Sequence, residues 1–332
     1  MSAALTGRPS PENTPGNSPG NDADRPRRSA TAVPGRTTAR RPGRRRPTEP
    51  FTVVSYVVVS LFGLFCLLPL WMIVAGSFTA ESKLSRTGYS LWPNPFSLDA
   101  YRMLFAGTAL LDGYLASLFI TGVGTLLSLS CTASLAWAIA RRLPMISRPL
   151  TIFAYLPMLF SGGLVPMYLL VTQVLRLQNS WFSVILPGMM APFLIFVAVS
   201  FFRQIPEEII DSARVDGAGE LRIFFRIVLP LSKPILAVVG LFYAVTYWNE
   251  WFTALLFLSD QDKFPLQLIL QNLISNVTNA ASLPGASASQ AAAPVYQLRL
   301  AMTVLTVAPI LLAYPFAQRY FVKGLTLGAS KG

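Results

Sequence analysis

The chain has 332 residues, 53% of them hydrophobic and only 13% charged, against about a quarter charged in a soluble protein. Much of the surface therefore needs no charge, which points to lipid as solvent. Half of the net charge of +12 lies in the first fifty residues and the rest at the edges of apolar segments, a topology signal rather than a DNA-binding face.

Residues 1–50 are rich in Pro, Gly, Ser, Thr and Arg and almost lack large apolar side chains. Such a segment cannot bury enough surface to offset its ordering entropy, so it reads as a disordered basic tail. No apolar stretch precedes Phe51, so no secretory signal is expected. The run RRPGRRRP at 40–47 abuts a membrane span, which favours an anchor facing anionic lipid over a nucleic-acid site.

Six long apolar segments follow, at 51–77, 113–140, 149–175, 181–202, 234–258 and 300–318. About 20 residues cross a bilayer as a helix, and the alternation of barrel strands is missing. The expected fold is an all-α membrane protein with six transmembrane helices. Cys66 and Cys131 lie inside apolar stretches without a neighbouring Cys or His, so both read as buried thiols rather than metal ligands or a disulfide. The absence of His removes the commonest general base and metal ligand. No GxxxxGK(S/T) phosphate loop occurs, so any ATPase must be another chain.

Orientation follows from Lys and Arg. The tail, 141–148, 203–233 and 319–332 together hold 21, and 78–112, 173–180 and 259–299 hold 6. The positive-inside rule then puts both termini in the cytoplasm. Segment 78–112 reads as an external loop with a short amphipathic helix from Leu98 to Phe105. Segment 259–299 reads as a flexible external loop ending in NAASLPGASASQAAAP.

The cytoplasmic connection RQIPEEIIDSARVDGAGELRIFFRIVLPLSK at 203–233 is long for a small membrane protein. Pro206 suits a first helical turn, and Glu207 and Glu208 favour its positive end. Ile209, Ile210, Ala213 and Val215 give an apolar stripe, and Gly217 can stop the helix in the left-handed region. A second helix is expected from about Glu220 to Val228, ended by Pro230. The loop thus predicts two surface helices hinged at a glycine, with small residues where another protein can approach.

This loop resembles the signature of binding-protein-dependent ABC importer permeases: Glu-Ala-Ala, three residues, Gly, nine residues, Ile, one residue, Leu-Pro. Here it reads Asp211-Ser212-Ala213, three residues, Gly217, nine residues, Ile227, Val228, Leu229-Pro230. Every spacing fits, with Asp for Glu and Ser for the first Ala. The resemblance extends over most of 60–332 through SGGLVPMYLL (161–170), YWNEW (247–251), FPLQLIL (264–270) and YPFAQRYFVKGLTLGASKG (314–332). It is nearest to the second permease subunit of maltose-type carbohydrate-uptake systems, in the branch for larger saccharides.

The resemblance implies the type I importer permease fold, five core helices with a peripheral first helix. The permease domain would span 51–332, with its core at about 109–318. It implies a coupling loop (Glu208, Asp211, Ser212, Ala213, Asp216, Gly217, Ile227, Leu229, Pro230) that docks on the ATPase. It further implies a cell-membrane location, a second homologous permease, ABC ATPase subunits and an extracytoplasmic sugar-binding lipoprotein as partners. This chain would bind no cofactor, with ATP and Mg held by the ATPase.

The residues point independently to the fifth segment, where Tyr243, Thr246, Tyr247, Trp248, Asn249 and Glu250 interrupt an apolar run. Trp248 lies ~21 Å along the helix from Pro234, past the midplane toward the outside. An ionisable group facing lipid costs ~2.5–3.5 kcal/mol or more, so Glu250 should face the bundle. Tyr243, Tyr247, Trp248, Asn249 and Glu250 suit a saccharide path or gate, with interhelical glue and an interfacial aromatic belt as the alternative. Gly162, Gly163 and Pro166 allow a kink in the third segment. A secondary transporter is the main rival, but ion coupling calls for charges in several spans, and only Glu250 is charged within them.

Overall fold

The computed structural model describes residues 50–282 and 294–329, with side chains described over 52–275 and 294–312 and at 315. The expected tail lies outside the described residues, as does most of the NAASLPGASASQAAAP stretch. Two units are distinguished, Met1–Tyr56 and Val57–Gly332, and the account below concerns the second. All regular structure among the described residues is helical, apart from one bridge between Thr79 and Phe96.

Among the described residues, three helices are long and apolar enough to cross a membrane unbroken. The first, α1 (Pro50–Ser77), exposes most side chains between Val57 and Trp71, as a lipid-facing peripheral helix would. Two short helices follow, α2 (Glu81–Thr87) and α3 (Asp99–Ala106), the latter matching the amphipathic turn expected from Leu98. The second long helix is α4 (Ala109–Ala140), whose Gly, Ser, Thr and Ala positions let neighbours approach closely.

The third, fourth and fifth apolar segments are bent pairs rather than straight spans. α5 (Ser147–Leu159) and α6 (Leu164–Leu169, continued by a π-helical turn to Val174) meet at 119° across 160–163. The kink expected at Gly162 and Gly163 is there, with Gly163 at φ +83° opening α6, and it is sharp enough to divide the segment. α7 (Trp181–Ile185, with a 3-10 turn to Gly188) and α8 (Pro192–Phe202) meet at 54°, Pro192 starting the second half.

After α9 (Glu207–Val215) come α10 (Glu220–Ile223), a π-helical turn at Phe224–Val228 and α11 (Leu229–Leu231). This stretch stands at 82° to α12 (Lys233–Trp248). Pro230 therefore does not end the second surface helix as expected. The π turn, with Leu229 N–H bonded to the Phe224 carbonyl, absorbs the register in which proline has no donor, and the break falls at Ser232.

The fifth segment is also shorter than expected. α12 ends at Trp248, residues 249–251 are irregular, and α13 (Phe252–Phe257) follows. The segment expected to be a flexible loop holds α14 (Leu266–Ser282), because Leu266, Ile269, Leu270 and Leu273 repeat at helical spacing. α15 (Val295–Ala329) completes the described chain.

Three buried clusters lie along this bundle. The first joins the end of α4 to α8, α9 and α10 around Trp137, Phe202 and Phe224. The second joins α4, α7 and α12 around Ile120, Ile185, Tyr243 and Tyr247. The third gathers Leu110, Trp248, Leu266 and Met302.

Candidate functional site

Pro206 takes the extended conformation before α9, and Glu207 and Glu208 stand in its first turn. Ile210 and Ala213 are buried against Trp137, Phe202 and Phe224. The apolar stripe is narrower than expected, because Ile209 is 39% and Val215 88% exposed. Residues 210 and 213 share one face at three-residue spacing, and 209 and 215 fall beside it. The outward side of α9 thus carries Glu208, Ile209, Asp211, Ser212, Val215 and Asp216.

The helix ends where the glycine allows it. Ala218 N–H donates to the Ala213 carbonyl and Gly217 N–H to that of Arg214, both at 2.9 Å. With Gly217 at φ +79°, this is a Schellman turn. Ile227 and Leu229 are half-buried against the first cluster, and Pro230 is exposed.

A chain of ion pairs spans the turn. Arg214 donates to Asp211 at 2.8 Å and, through two nitrogens, to one Glu220 oxygen at 2.9 and 3.0 Å. Arg141, at the end of α4, reaches the same oxygen at 3.3 Å and lies 5.4 Å from the Trp137 ring centroid. The Arg141 side chain is only 15% exposed, so its pair is screened less than the outer two. The chain fixes α9, α10 and α4 relative to one another. The sequence reading missed it. Arg214 three residues after Asp211 is visible as a helical pair, but nothing local connects Arg141 to Glu220.

In α12 the aromatic residues tie helices together. The Tyr247 hydroxyl shares a 2.8 Å hydrogen bond with Ser128 and donates to the Ile185 carbonyl at 2.9 Å. That of Tyr243 shares a 2.7 Å bond with Thr132 and accepts from Ala191 N–H at 3.0 Å. Trp248 Nε1 donates to the Thr306 carbonyl at 3.0 Å. All three side chains are buried. Asn249 is exposed at the break and accepts from Gln267 Nε2 at 3.0 Å. Glu250 is half-buried, and its carboxylate accepts from Thr253 N–H at 2.9 Å, capping α13. The start of a helix is the place where a carboxylate costs least.

Beyond the break, a polar knot closes the connection. Asn179, at φ +60°, accepts from Ser259 and Asp260 N–H and donates to the Asp260 carboxylate at 2.6 Å. Lys263 donates to the same carboxylate at 2.9 Å, and Trp181 Nε1 to the Lys263 carbonyl at 3.0 Å. The hydrogen bonds from Lys263 and Asn179 hold the Asp260 carboxyl below its ordinary pKa.

A helical bundle with several apolar helices long enough to cross a bilayer defines an integral membrane protein. Residues 124–327 match the family described as "Binding-protein-dependent transport system inner membrane component". The chain is 37% identical to the polygalacturonan/rhamnogalacturonan transport system permease protein YtcP of Bacillus subtilis, covering 85% of this chain and 98% of that one. It is 31% identical to the arabinooligosaccharides transport system permease protein AraQ of Halalkalibacterium halodurans, covering 87% and 100%. A bacterial ABC transporter described as importing the acidic polysaccharide alginate has a chain of the same fold. The match has a TM-score of 0.71 and 26% identity, covering 84% of this chain and 99% of that one. The chain therefore belongs to the binding-protein-dependent transport system inner membrane component family, with the type I ABC importer permease fold.

Proposed function

We propose that this chain is a permease subunit of an ATP-driven carbohydrate importer, with an oligosaccharide as cargo. The observation that carries this reading is the loop at 207–230. The family signature coincides with a Schellman turn at Gly217, is fixed to α4 by the Asp211–Arg214–Glu220–Arg141 chain, and leaves one face of α9 open. The names of YtcP and AraQ, both of saccharide transport, support the substrate class.

In this reading α9 docks on a separate ABC ATPase through Glu208, Asp211, Ser212 and Asp216, beside the exposed Ile209 and Val215. Ile210, Ala213, Ile227 and Leu229 pass its movement into the bundle. A homologous second permease completes the path, and an extracytoplasmic binding lipoprotein delivers the sugar. ATP and Mg belong to the ATPase, and this chain binds no cofactor and catalyses no reaction. The positive-inside rule supports a cytoplasmic 203–233 and cytoplasmic termini, with residues 1–50 as a basic tail ahead of the permease domain.

The fifth span serves as the gate. Tyr243, Tyr247 and Trp248 hold α12 against its neighbours, and Asn249 and Glu250 face the path at the break. The test is uptake of labelled oligosaccharides by the complete complex, with co-purification of the ATPase. Glu220→Ala, which removes the partner of both Arg141 and Arg214, is expected to lower uptake while membrane insertion stays normal. Full uptake with Glu220→Ala would separate the loop from coupling.

A further inference from the structure

A recess of about 130 Å³ opens beside the surface loop, lined by Trp137, Arg141, Arg142, Phe202, Arg203 and Glu207 among others. Three arginines and one glutamate thus contribute to its wall. Among the described residues the side chains of Arg142, Arg203 and Glu207 make no ion pair or hydrogen bond. Arg141 Nε is buried and has no hydrogen-bond partner. Its pair with Glu220 uses another nitrogen, and a buried donor without an acceptor is costly, so the guanidinium gains by turning this nitrogen toward an acceptor that enters the recess. A water takes ~30 Å³, so the recess admits a group the size of a phosphate.

The surroundings indicate where that phosphate comes from. The recess lies at the ends of two apolar helices, α4 and α8, where a bilayer places its headgroups. Directly after Arg142 the chain makes a turn with φ +51° at Arg142 and +72° at Met145. This turn exposes Leu143, Met145 (92%) and Ile146. An apolar turn beside unpaired arginines suits acyl chains below a phosphate, whereas a free phosphate has no use for it.

We propose that this recess binds the phosphate of an anionic phospholipid, held by Arg141, Arg142 and Arg203, on the membrane face that carries the surface loop. Glu207 opposes it. The proposal is independent of the cargo. Part of the arginines' effect serves the negative ends of α4 and α8, so the test must separate the two roles.

The full chain, purified in detergent, is titrated with phosphatidylglycerol, phosphatidylcholine or inorganic phosphate while its thermal midpoint is followed. Phosphatidylglycerol is expected to raise the midpoint saturably, and phosphatidylcholine to leave it unchanged. The double variant Arg142→Gln/Arg203→Gln should need roughly tenfold more phosphatidylglycerol, the loss of charge-assisted hydrogen bonds. Glu207→Gln, which keeps every arginine, should need less, and it decides the question if the double variant does not fold. An equal response to phosphatidylcholine, an unchanged response in the double variant, or no tightening with Glu207→Gln would overturn the proposal. A full shift with inorganic phosphate alone would overturn the lipid assignment and leave a free-phosphate site.

Discussion

Gly217 stands at φ +79° with nothing within 4 Å of the position a Cβ would take. Space is therefore not the constraint there, and the backbone alone decides what is tolerated. An L side chain in this region costs ~1–2 kcal/mol, Asn and Asp less than others, and a β-branched residue most. Gly217→Asn is thus expected to keep most ATPase co-purification, Gly217→Ala to lose part and Gly217→Val most, with insertion unchanged in all three. Equal binding by the Val and Asn variants would remove the hinge from the mechanism. Asp211→Ala should be milder, since an exposed pair contributes ~0–1 kcal/mol and Arg214 keeps Glu220. Asp260 is the residue with a readable pH response. Its folded pKa lies below its ordinary 3.8, so its contribution to stability is complete above that value and lost as pH falls through the folded pKa. Lys263→Met should move the onset of acid loss upward, toward the ordinary carboxylate range, measured as thermal midpoint against pH. An unchanged onset would show that the knot does not depend on this charge.

Elements carry the division between what the chain announced and what it hid. The long spans were legible because an unbroken apolar run has one stable answer in lipid, and the loop because its Gly and Leu-Pro spacing is set by two helix ends. The breaks were legible only in part. A kink at Gly162 and Gly163 was expected within 149–175, but hydropathy gives no sign that the chain turns there by 119°, with Gly163 at a positive φ. Hydropathy scores composition, whereas a bend depends on single backbone angles. α14 was missed because the small polar run that ends 259–299 set the reading of the whole segment, although Leu266, Ile269, Leu270 and Leu273 keep helical spacing. In the fifth span, the residue types favoured a path or gate with interhelical glue as the alternative, and only the hydrogen bonds distinguish the members. Three of the five are saturated inside the bundle, leaving Asn249 and Glu250 at the break. The tie between α4 and α12 is testable at its closest point. A Cβ at Gly124 would stand 2.9 Å from the Tyr247 ring, so Gly124→Val must displace the ring and break two hydrogen bonds. Tyr247→Phe removes the hydroxyl alone, and interhelical hydrogen bonds in membranes average ~0.6 kcal/mol with a maximum near 1.7. Unfolding in mixed micelles should show a small loss for Tyr247→Phe and a clearly larger one for Gly124→Val.

Across the whole of the second unit, the two polar sites belong to opposite ends of one helix. The 32 residues of α4 rise ~48 Å, more than the ~30 Å of a hydrocarbon core. Near its start, Gly113 packs against Ile269, Leu266 and the Phe264 carbonyl, in the region that continues from the Asp260–Lys263 knot. At its end, Arg141 pairs with Glu220 of the surface loop. A helix of this length that crosses the bilayer ends on opposite sides of it, so the knot and the loop are expected to face different compartments. The positive-inside rule predicts that the basic segments 141–148 and 203–233 are the inner ones. The measurement is labelling of single cysteines by a membrane-impermeant thiol reagent in intact cells, after replacing Cys66 and Cys131 by Ser. Gln261→Cys, exposed beside the knot, should label from outside. Val215→Cys, 88% exposed as a native side chain, should label only after permeabilisation. Labelling of Gln261→Cys and Val215→Cys from the same side would contradict the span of α4. Labelling of Val215→Cys from outside alone would place the loop away from ATP and end the importer reading.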